Sequence, residues 1–148
     1  MNDKTLNPTG TELYTMEKAI KLYRKYCQQS IDSYVDNVTV DQCLVLICLR
    51  ERPELNQMQL ADLVFKNKAS VTRILNLLVE KQYVSKVLNA EDGRKNKLEI
   101  SQAGRKLLTR LEPIFSQNRA QALKNFTALE IIELERLLMK IVTNCSGS

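Results

Sequence analysis

Histidine is missing from this chain of 148 residues. Histidine is the side chain most often used as a general base and as a metal ligand, so its absence weighs against an enzyme or a metalloprotein. The sequence also offers no glycine-rich phosphate loop, no nucleophile paired with a base and no cluster of metal-ligand residues. We therefore predict no catalytic site, no metal site and no cofactor.

Cysteine is sparse, with four residues at positions 27, 43, 48 and 145 and no Cys-x-x-Cys pair. A disulfide framework is typical of exported proteins, and the polar residues 1–15 lack the apolar centre of a signal peptide. We therefore expect buried, free thiols in a cytoplasmic protein.

Long apolar runs are also absent. The longest unbroken run covers residues 43–49, far short of the roughly 20 residues that a membrane-spanning helix needs. We therefore predict that the chain does not enter a membrane.

Positive charge is concentrated in the middle of the chain. The net charge is +5, but residues 65–106 hold ten basic and four acidic residues, so the rest of the chain is slightly negative. A localised excess of this kind is expected of a surface that binds a polyanion such as nucleic acid. An ordinary solvated face has a similar composition, so charge alone leaves both interpretations open.

The spacing of apolar residues predicts six helices and one β-hairpin. Three- and four-residue steps indicate helices, and a polar segment with an Asp-Gly turn between two short apolar segments indicates a hairpin. The predicted fold class is therefore mainly α with a small β-hairpin. Helices are expected at residues 12–35, 39–52, 56–64, 67–81, 101–123 and 128–144, and strands at 84–88 and 97–100.

Capping side chains stand at the predicted helix starts. In a capping box, the first side chain accepts a bond from the backbone N–H three residues on, and the side chain there returns one. Pro113 lies inside the fifth helix and should kink it, because proline removes a backbone donor. The expected capping pairs are Thr39 with Gln42, Asn56 with Gln59, and Thr127 with Glu130, while Asn67 and Ser101 cap two further helices.

The helix at 67–81 has two distinct faces. Its apolar stripe is Val71, Ile74, Leu75 and Leu78, and the opposite side carries Ala69, Arg73 and Asn76, flanked by Ser70 and Thr72. Short polar side chains and one arginine can enter a major groove about 12 Å wide and read base edges. A surface helix has the same pattern, but a short helix and a tight turn precede this one, as in a helix-turn-helix.

The predicted hairpin adds a second basic feature directly after this helix. Its tip carries two adjacent cations, Arg94 and Lys95. An arginine on a narrow projection is suited to a minor groove, where negative potential is concentrated. Helix, hairpin and localised charge together favour DNA binding.

The last helix has more apolar surface than one small lobe can cover. One stripe is Ile131, Leu134, Leu138 and Ile141, and a second face carries Leu129, Ile132 and Leu137. Together with the apolar face of the first helix, this excess predicts a homodimer formed by the chain ends.

Five segments resemble, in order and spacing, the pattern of MarR-type (multiple antibiotic resistance) regulators. The resemblance implies a winged helix-turn-helix lobe at 39–105, flanked by dimerisation helices at 12–35 and 106–144. The length of the chain predicts one domain over 1–148. Members are bacterial homodimers that repress or activate genes from pseudo-palindromic operators, and small phenolic or anionic ligands release many of them. We accordingly expect a transcription regulator, in the first instance a repressor, with double-stranded DNA, a second copy and such an effector as partners. The segments are 40–46, Leu60 and Ala61, 69–75 (Ala-Ser-Val-Thr-Arg-Ile-Leu), 92–94 (Asp-Gly-Arg) and 100–105.

The resemblance also assigns DNA contacts. Ser70, Thr72 and Arg73 would contact DNA from the recognition helix, and Asp92 would orient Arg94 of the wing through a charge-assisted hydrogen bond. With neighbouring polar and basic side chains, the expected set is Lys68, Ser70, Thr72, Arg73 and Asn76 in the helix and Asp92, Arg94 and Lys95 in the wing.

Two positions test the resemblance. Family members commonly carry glycine where Gln82 stands, so Gln82 should adopt a left-handed backbone with positive φ. Peroxide-sensing members carry a reactive cysteine where residues 13–16 lie here, and none is present, which favours inert thiols over a redox sensor.

The main alternative is a winged-helix module that binds other proteins without sequence-specific DNA binding. The predicted exposure of Arg73 and Arg94 favours DNA, because an interaction module needs neither in that register. The tyrosines of the first helix could line an aromatic ligand pocket, but their helical spacing is more typical of core positions; they are Tyr14, Tyr23, Tyr26 and Tyr34.

Overall fold

The computed structural model describes residues 8–88 and 96–147, and it confirms a mainly helical fold with one antiparallel hairpin. The tip of the predicted wing, at 89–95, lies outside the described residues. After a short 3-10 turn at Pro8–Gly10, the elements are α1 (Glu12–Asp32), α2 (Val40–Glu51), α3 (Gln57–Leu63), α4 (Lys68–Glu80), β1 (Val84–Leu88), β2 (Asn96–Ile100), α5 (Gln102–Ala122) and α6 (Ala128–Cys145).

The predicted capping side chains begin their helices as expected. All three capping boxes form, at Thr39, Asn56 and Thr127. The side chains of Asn67 and Ser101 each accept a bond from the backbone N–H three residues on. Because these caps satisfy donors that a helix start leaves open, local sequence fixes where the helices begin.

The first helix ends at Asp32, three residues earlier than predicted. The chain turns here because Asn37 takes a left-handed conformation, with φ of 60°, and Val38 enters the core. Residues 33–35, which were predicted as the end of the first helix, therefore belong to the turn that leads into α2.

The hydrophobic core lies around α2 and joins α3, α4, both strands and α5. The apolar stripe predicted on α4 is the part of that helix that enters this core: Val71, Leu75 and Leu78 are buried and Ile74 is half-buried. The largest fully enclosed side chains are Ile31, Leu46, Leu75, Leu78, Leu108 and Leu111.

Gln82 has the predicted positive φ, 65°. Its N–H donates to the carbonyl of Val79 at 3.0 Å, and the N–H of Tyr83 donates to that of Leu78 at 2.9 Å. These two bonds close a Schellman motif, which requires a left-handed residue after the helix. Phe65 also has a positive φ, 59°, just after α3, where the sequence predicted only a tight turn.

The base of the hairpin is fastened to the end of α4. The strands pair from Val84 with Ile100 to Leu88 with Asn96. The hydroxyl of Ser101 donates to the carbonyl of Gln82 at 2.6 Å. A Cβ atom on Gly104 would lie 2.4 Å from the Tyr83 carbonyl oxygen, so only glycine allows α5 to approach this closely.

The terminal helices pack far less completely than the central region. In α1 only Cys27 and Ile31 are buried, and α6, whose residues are all described, has no buried side chain. The prediction that the tyrosines of the first helix take core positions is wrong for Tyr14, Tyr26 and Tyr34, because all three are exposed in α1 and the turn after it.

All four cysteines lie within the described residues, and none forms a disulfide. The expected burial holds for Cys27 and Cys43, and burial raises the pKa of the Cys43 thiol to about 12. Cys48 is half-buried. The expectation is wrong for Cys145, which is exposed because it lies at the end of the loosely packed α6.

None of the helices within residues 8–88 and 96–147 combines the length and the apolar character needed to cross a lipid bilayer.

Candidate nucleic-acid interface

The exposed side of α4 carries the polar side chains that the sequence placed there. Lys68, Ala69, Arg73 and Asn76 are exposed, while Ser70 and Thr72 are half-buried at the edges of this face. These side chains face solvent because the opposite, apolar stripe is held in the core, which fixes the rotation of α4 about its own axis. The surface formed by Lys68, Ala69, Ser70, Thr72, Arg73 and Asn76 is called the α4 face below.

The start of α4 is capped by a side chain. The Asn67 side chain accepts a bond from the backbone N–H of Ser70 at 2.7 Å. The first turn of a helix carries partial positive charge, because its N–H groups have no partner within the helix. Lys68 adds a full positive charge at the same end, so this end of the α4 face is attractive to a phosphate group.

Arg73 and Lys68 are available for intermolecular contacts. Among residues 8–88 and 96–147, no carboxylate pairs with either side chain, whereas several other arginines form ion pairs. A guanidinium on an exposed helix face presents donors that can bind both acceptor atoms of guanine in the major groove.

Thr72 makes a contact that the sequence did not reveal. Its hydroxyl lies 2.8 Å from Oε1 of Gln57 and 2.9 Å from the backbone carbonyl of Lys68. Both neighbours are acceptors, so the hydroxyl hydrogen is used within the protein. Thr72 therefore joins α4 to the first residue of α3, and only its oxygen lone pairs remain for a contact with DNA.

Two lysines of the basic central segment bind acceptors within the protein. Lys66, directly before Asn67, forms an ion pair with Asp41 at 3.2 Å. Lys81, directly after α4, donates to Oε1 of Gln42 at 2.9 Å and to the backbone carbonyl of Asn37. Part of the positive charge that suggested a polyanion-binding surface is therefore structural.

The predicted wing contacts, Asp92, Arg94 and Lys95, lie outside the described residues. The strands below them are described, and they extend from the C-terminal end of α4. Lys86 on β1 and Lys97 on β2 are exposed, and Lys97 pairs with the exposed Glu99 at 4.0 Å, so the described part of the hairpin has two cations and one anion on its surface.

A cavity of about 610 Å³ lies between the end of α2, α3, α4 and β2. Its walls are mainly apolar, with Leu60, Leu75 and Leu98 among them, and Lys68 and Lys97 also line it. A mainly apolar cavity with two lysines among its lining residues, of which Lys97 is paired with Glu99, is of the kind that can hold a small molecule.

A larger cavity, of about 910 Å³, lies between α1, α5 and α6. It is lined by Met16, Ile20 and Tyr23 of α1 and by Leu134 and Leu138 of α6. The other two residues of the predicted dimerisation stripe, Ile131 and Ile141, are half-buried. The structure therefore brings the apolar faces of the first and last helices together around one open, apolar space.

A short helix, a tight turn, an exposed second helix and an attached two-stranded hairpin define a winged helix-turn-helix. The sequence pattern of the MarR family matches residues 36–95, which span α2, α3, α4 and β1. The match shows that the winged helix-turn-helix region of this chain is similar to that of the MarR family.

Solved structures show the same fold over nearly the whole chain. BpsR of Bordetella bronchiseptica, whose DNA binding is regulated by 6-hydroxynicotinic acid, is 19% identical, with a TM-score of 0.79 over 90% of this chain and 94% of that one. MepR of S. aureus in complex with DNA is 18% identical, with a TM-score of 0.79 over 90% and 96%. A mutant of MarR from E. coli is 20% identical, with a TM-score of 0.68 over 89% and 96%.

Proposed function

We propose that this protein is a homodimeric repressor that binds a pseudo-palindromic DNA operator, with α4 in the major groove and the wing in the minor groove. The observation that carries the proposal is the α4 face, on which Arg73 and Lys68 are exposed and have no carboxylate partner among the described residues. In this proposal residues 39–105 form the DNA-binding lobe, and residues 12–35 and 106–144 form the dimerisation region.

Arg73 has the central role in sequence recognition. It lies on the middle of the α4 face, opposite the buried Val71 and Leu75 stripe, so insertion of α4 into the groove brings its guanidinium to the base edges. Lys68 and the helix start contact phosphate, which positions the protein without reading sequence. In the wing, Arg94 and Lys95 contact the minor groove and the backbone, and Asp92 orients Arg94.

Dimerisation accounts for the apolar surface of the chain ends. Leu129 is 77% exposed and Ile132 and Val142 are more than half exposed, on a helix that has no buried side chain. A second copy can cover these side chains and fill the cavity between α1 and α6. Two-fold symmetry then presents two α4 helices to two half-sites, which is why the operator is expected to be pseudo-palindromic.

A small phenolic or anionic effector is proposed to release the DNA. The cavity of 610 Å³ is lined by Lys68 and by Gln57, the residue to which Thr72 donates. A ligand in this cavity would compete with phosphate for Lys68 and would disturb the bond between α3 and α4. BpsR, which shares the fold, responds to 6-hydroxynicotinic acid, a hydroxylated aromatic acid of this chemical class.

DNA binding is tested by selecting bound duplexes from a random pool and titrating the selected operator and a scrambled duplex. Arg73→Ala should weaken operator binding by roughly 1–3 kcal/mol and scrambled binding much less, because a base contact is lost. Arg52→Ala is the matched control, since Arg52 is exposed in the same lobe and already paired with Glu54. It should change neither affinity appreciably.

Two further arms complete the experiment. Lys95→Ala should lower both affinities evenly and reduce the salt dependence by about 1 per protomer, and Arg94→Ala should weaken binding with little loss of sequence preference. Adding 6-hydroxynicotinic acid should release the operator if an effector of this class acts here. If no sequence is enriched and the three arginine and lysine variants produce the same small loss on both duplexes, the protein-interaction alternative is the better function.

A further inference from the structure

The recognition helix is held at both of its ends by lysines that bind the start of α2. Lys66 lies one residue before the N-cap of α4, and Lys81 is its C-cap. The acceptors are close together in sequence. Asp41 forms an ion pair with Lys66, while the side chain of Gln42 and the backbone carbonyl of Asn37 accept hydrogen bonds from Lys81. Both ends of α4 are therefore bonded to one short segment, residues 37–42, which covers the end of the α1–α2 turn and the first residues of α2.

Asp41 connects this segment to α1 as well. One carboxylate oxygen accepts a hydrogen bond from the guanidinium of Arg24, in α1, and the other lies 3.2 Å from the ammonium of Lys66. Partial burial by itself would raise the pKa of the Asp41 carboxyl, but hydrogen bonds from Arg24 and Lys66 hold that pKa below its usual value. The carboxylate stays ionised at neutral pH and bridges two cations from different parts of the fold.

Further hydrogen bonds hold the start of α2 in place. The Gln28 side chain, in α1, accepts from the N–H of Val40 at 3.0 Å and donates to the carbonyl of Val38 at 2.9 Å. Gln42 is buried, and its Oε1 also accepts from the N–H of Thr39 at 3.3 Å. The start of α2 is therefore bonded to α1 on one side and to the residues that flank both ends of α4 on the other.

We propose that Asp41 is a positioning residue for DNA binding, which fixes α4 relative to α1 and thereby sets the separation of the two recognition helices in the dimer. This inference rests on the proposed function, because it requires a dimer that reads two half-sites. Asp41 itself does not contact DNA. It acts through Lys66, which directly precedes the N-cap of the recognition helix.

The consequence of losing the carboxylate follows from its two partners. Arg24 and Lys66 share one anion, so its neutralisation leaves two cations facing each other across the junction of α1 and the α3–α4 turn. Their repulsion would move the turn outward or loosen it. Adding one base pair between half-sites moves the second by about 3.4 Å and rotates it by roughly 35°, so a rigid dimer discriminates strongly between spacings.

The test measures affinity for the selected operator and for duplexes in which the half-sites are one base pair closer or further apart. Asp41→Asn, which keeps the shape of the side chain, should reduce the ratio of cognate to shifted affinity about threefold to tenfold. Asp41→Glu keeps the charge and should restore part of this ratio. Glu112→Gln is the matched control, because Glu112 pairs with Arg50 between α2 and α5 and does not touch either end of α4.

Thermal unfolding establishes that each variant is folded at the assay temperature. If Asp41→Asn does not fold, Lys66→Gln replaces it, since it removes the other half of the contact and should change the same ratio. An unchanged ratio in a folded variant, or an equal loss for every spacing, would overturn the inference. A wild-type protein that shows no preference for any duplex would instead contradict the proposed function, and so the two failures are distinguishable.

Discussion

Among the described residues, nearly all buried side chains lie between α2 and the middle of α5, whereas α6 has none and α1 has two. The winged-helix lobe therefore buries its own apolar residues, and its helix–turn–helix face and hairpin are supported by a core that one chain completes. The terminal helices have an equally clear apolar pattern, but much of it faces solvent in a single chain. The core of the lobe is therefore complete in one chain, whereas the apolar side chains of the terminal helices are left for the second copy of the proposed dimer.

The largest expected effect tests the dependence of the terminal helices on a partner. Leu134 is 40% exposed and lines the cavity between α1 and α6. Leu134→Glu should weaken the dimer by about 3–5 kcal/mol, because a charge without a partner would be buried in the interface. Analytical ultracentrifugation at micromolar concentration should then give a monomer, while circular dichroism still shows a folded, helical protein.

Leu63→Glu provides the control for this variant, since Leu63 is an exposed apolar residue of α3 in the lobe. It should leave the dimer unchanged. A wild-type protein that sediments as a monomer would contradict the proposal that the stripe Ile131, Leu134, Leu138 and Ile141 forms a dimer interface.

A smaller effect tests the internal packing of the lobe. Gly104→Ala should destabilise the protein by about 1–3 kcal/mol, because the added Cβ overlaps the Tyr83 carbonyl and the Ile100 side chain. Urea unfolding at fixed protein concentration measures the free energy of unfolding. Ala103→Gly, one position earlier in the same helix and exposed, should cost less than about 1 kcal/mol. Equal losses for the two variants would show that helix propensity, and not the close approach of α5, explains the result.

The smallest effect concerns a single backbone position at the end of α4. Gln82→Gly should stabilise the protein by roughly 1 kcal/mol or less, because glycine adopts the observed φ of 65° without a steric penalty. Arg73→Gly, in the middle of the same helix, should instead lose up to about 1 kcal/mol of stability. Thermal unfolding of both variants measures these changes in stability. A destabilised Gln82→Gly would mean that the glutamine side chain stabilises the fold by more than the backbone penalty costs.

The sequence predicted the elements well because their ends are local. Capping boxes at Thr39, Asn56 and Thr127 depend on side chains three residues apart, and the positive φ at Gln82 depends on where one helix stops. These features are decided within a turn of the helix, and no distant contact is needed to locate them. The exception is the end of α1, which lies three residues early, whereas every other end lies within one residue of its predicted position.

The candidate site was predictable in composition but not in the role of every residue. The α4 face follows from helical periodicity, so Arg73 and Asn76 were correctly placed at the surface. Phe65, in the turn before α4, is 92% exposed, and no pattern in the sequence predicted this exposure. Lys66 and Lys81 looked like part of the DNA-binding charge, although their ammonium groups bind the start of α2.

The sequence by itself determined the helices, their caps, the two faces of α4 and the excess of apolar residues at the chain ends, because each depends on neighbours within about one or two turns. Only the tertiary structure decided which lysines bind acceptors within the protein, that Thr72 donates to Gln57, and that most tyrosines in and after α1 are exposed. These outcomes depend on which element packs against which, over separations of up to 44 residues in the case of Lys81 and Asn37. Periodicity gives the direction of a side chain from its own helix axis, but it does not tell what lies in that direction.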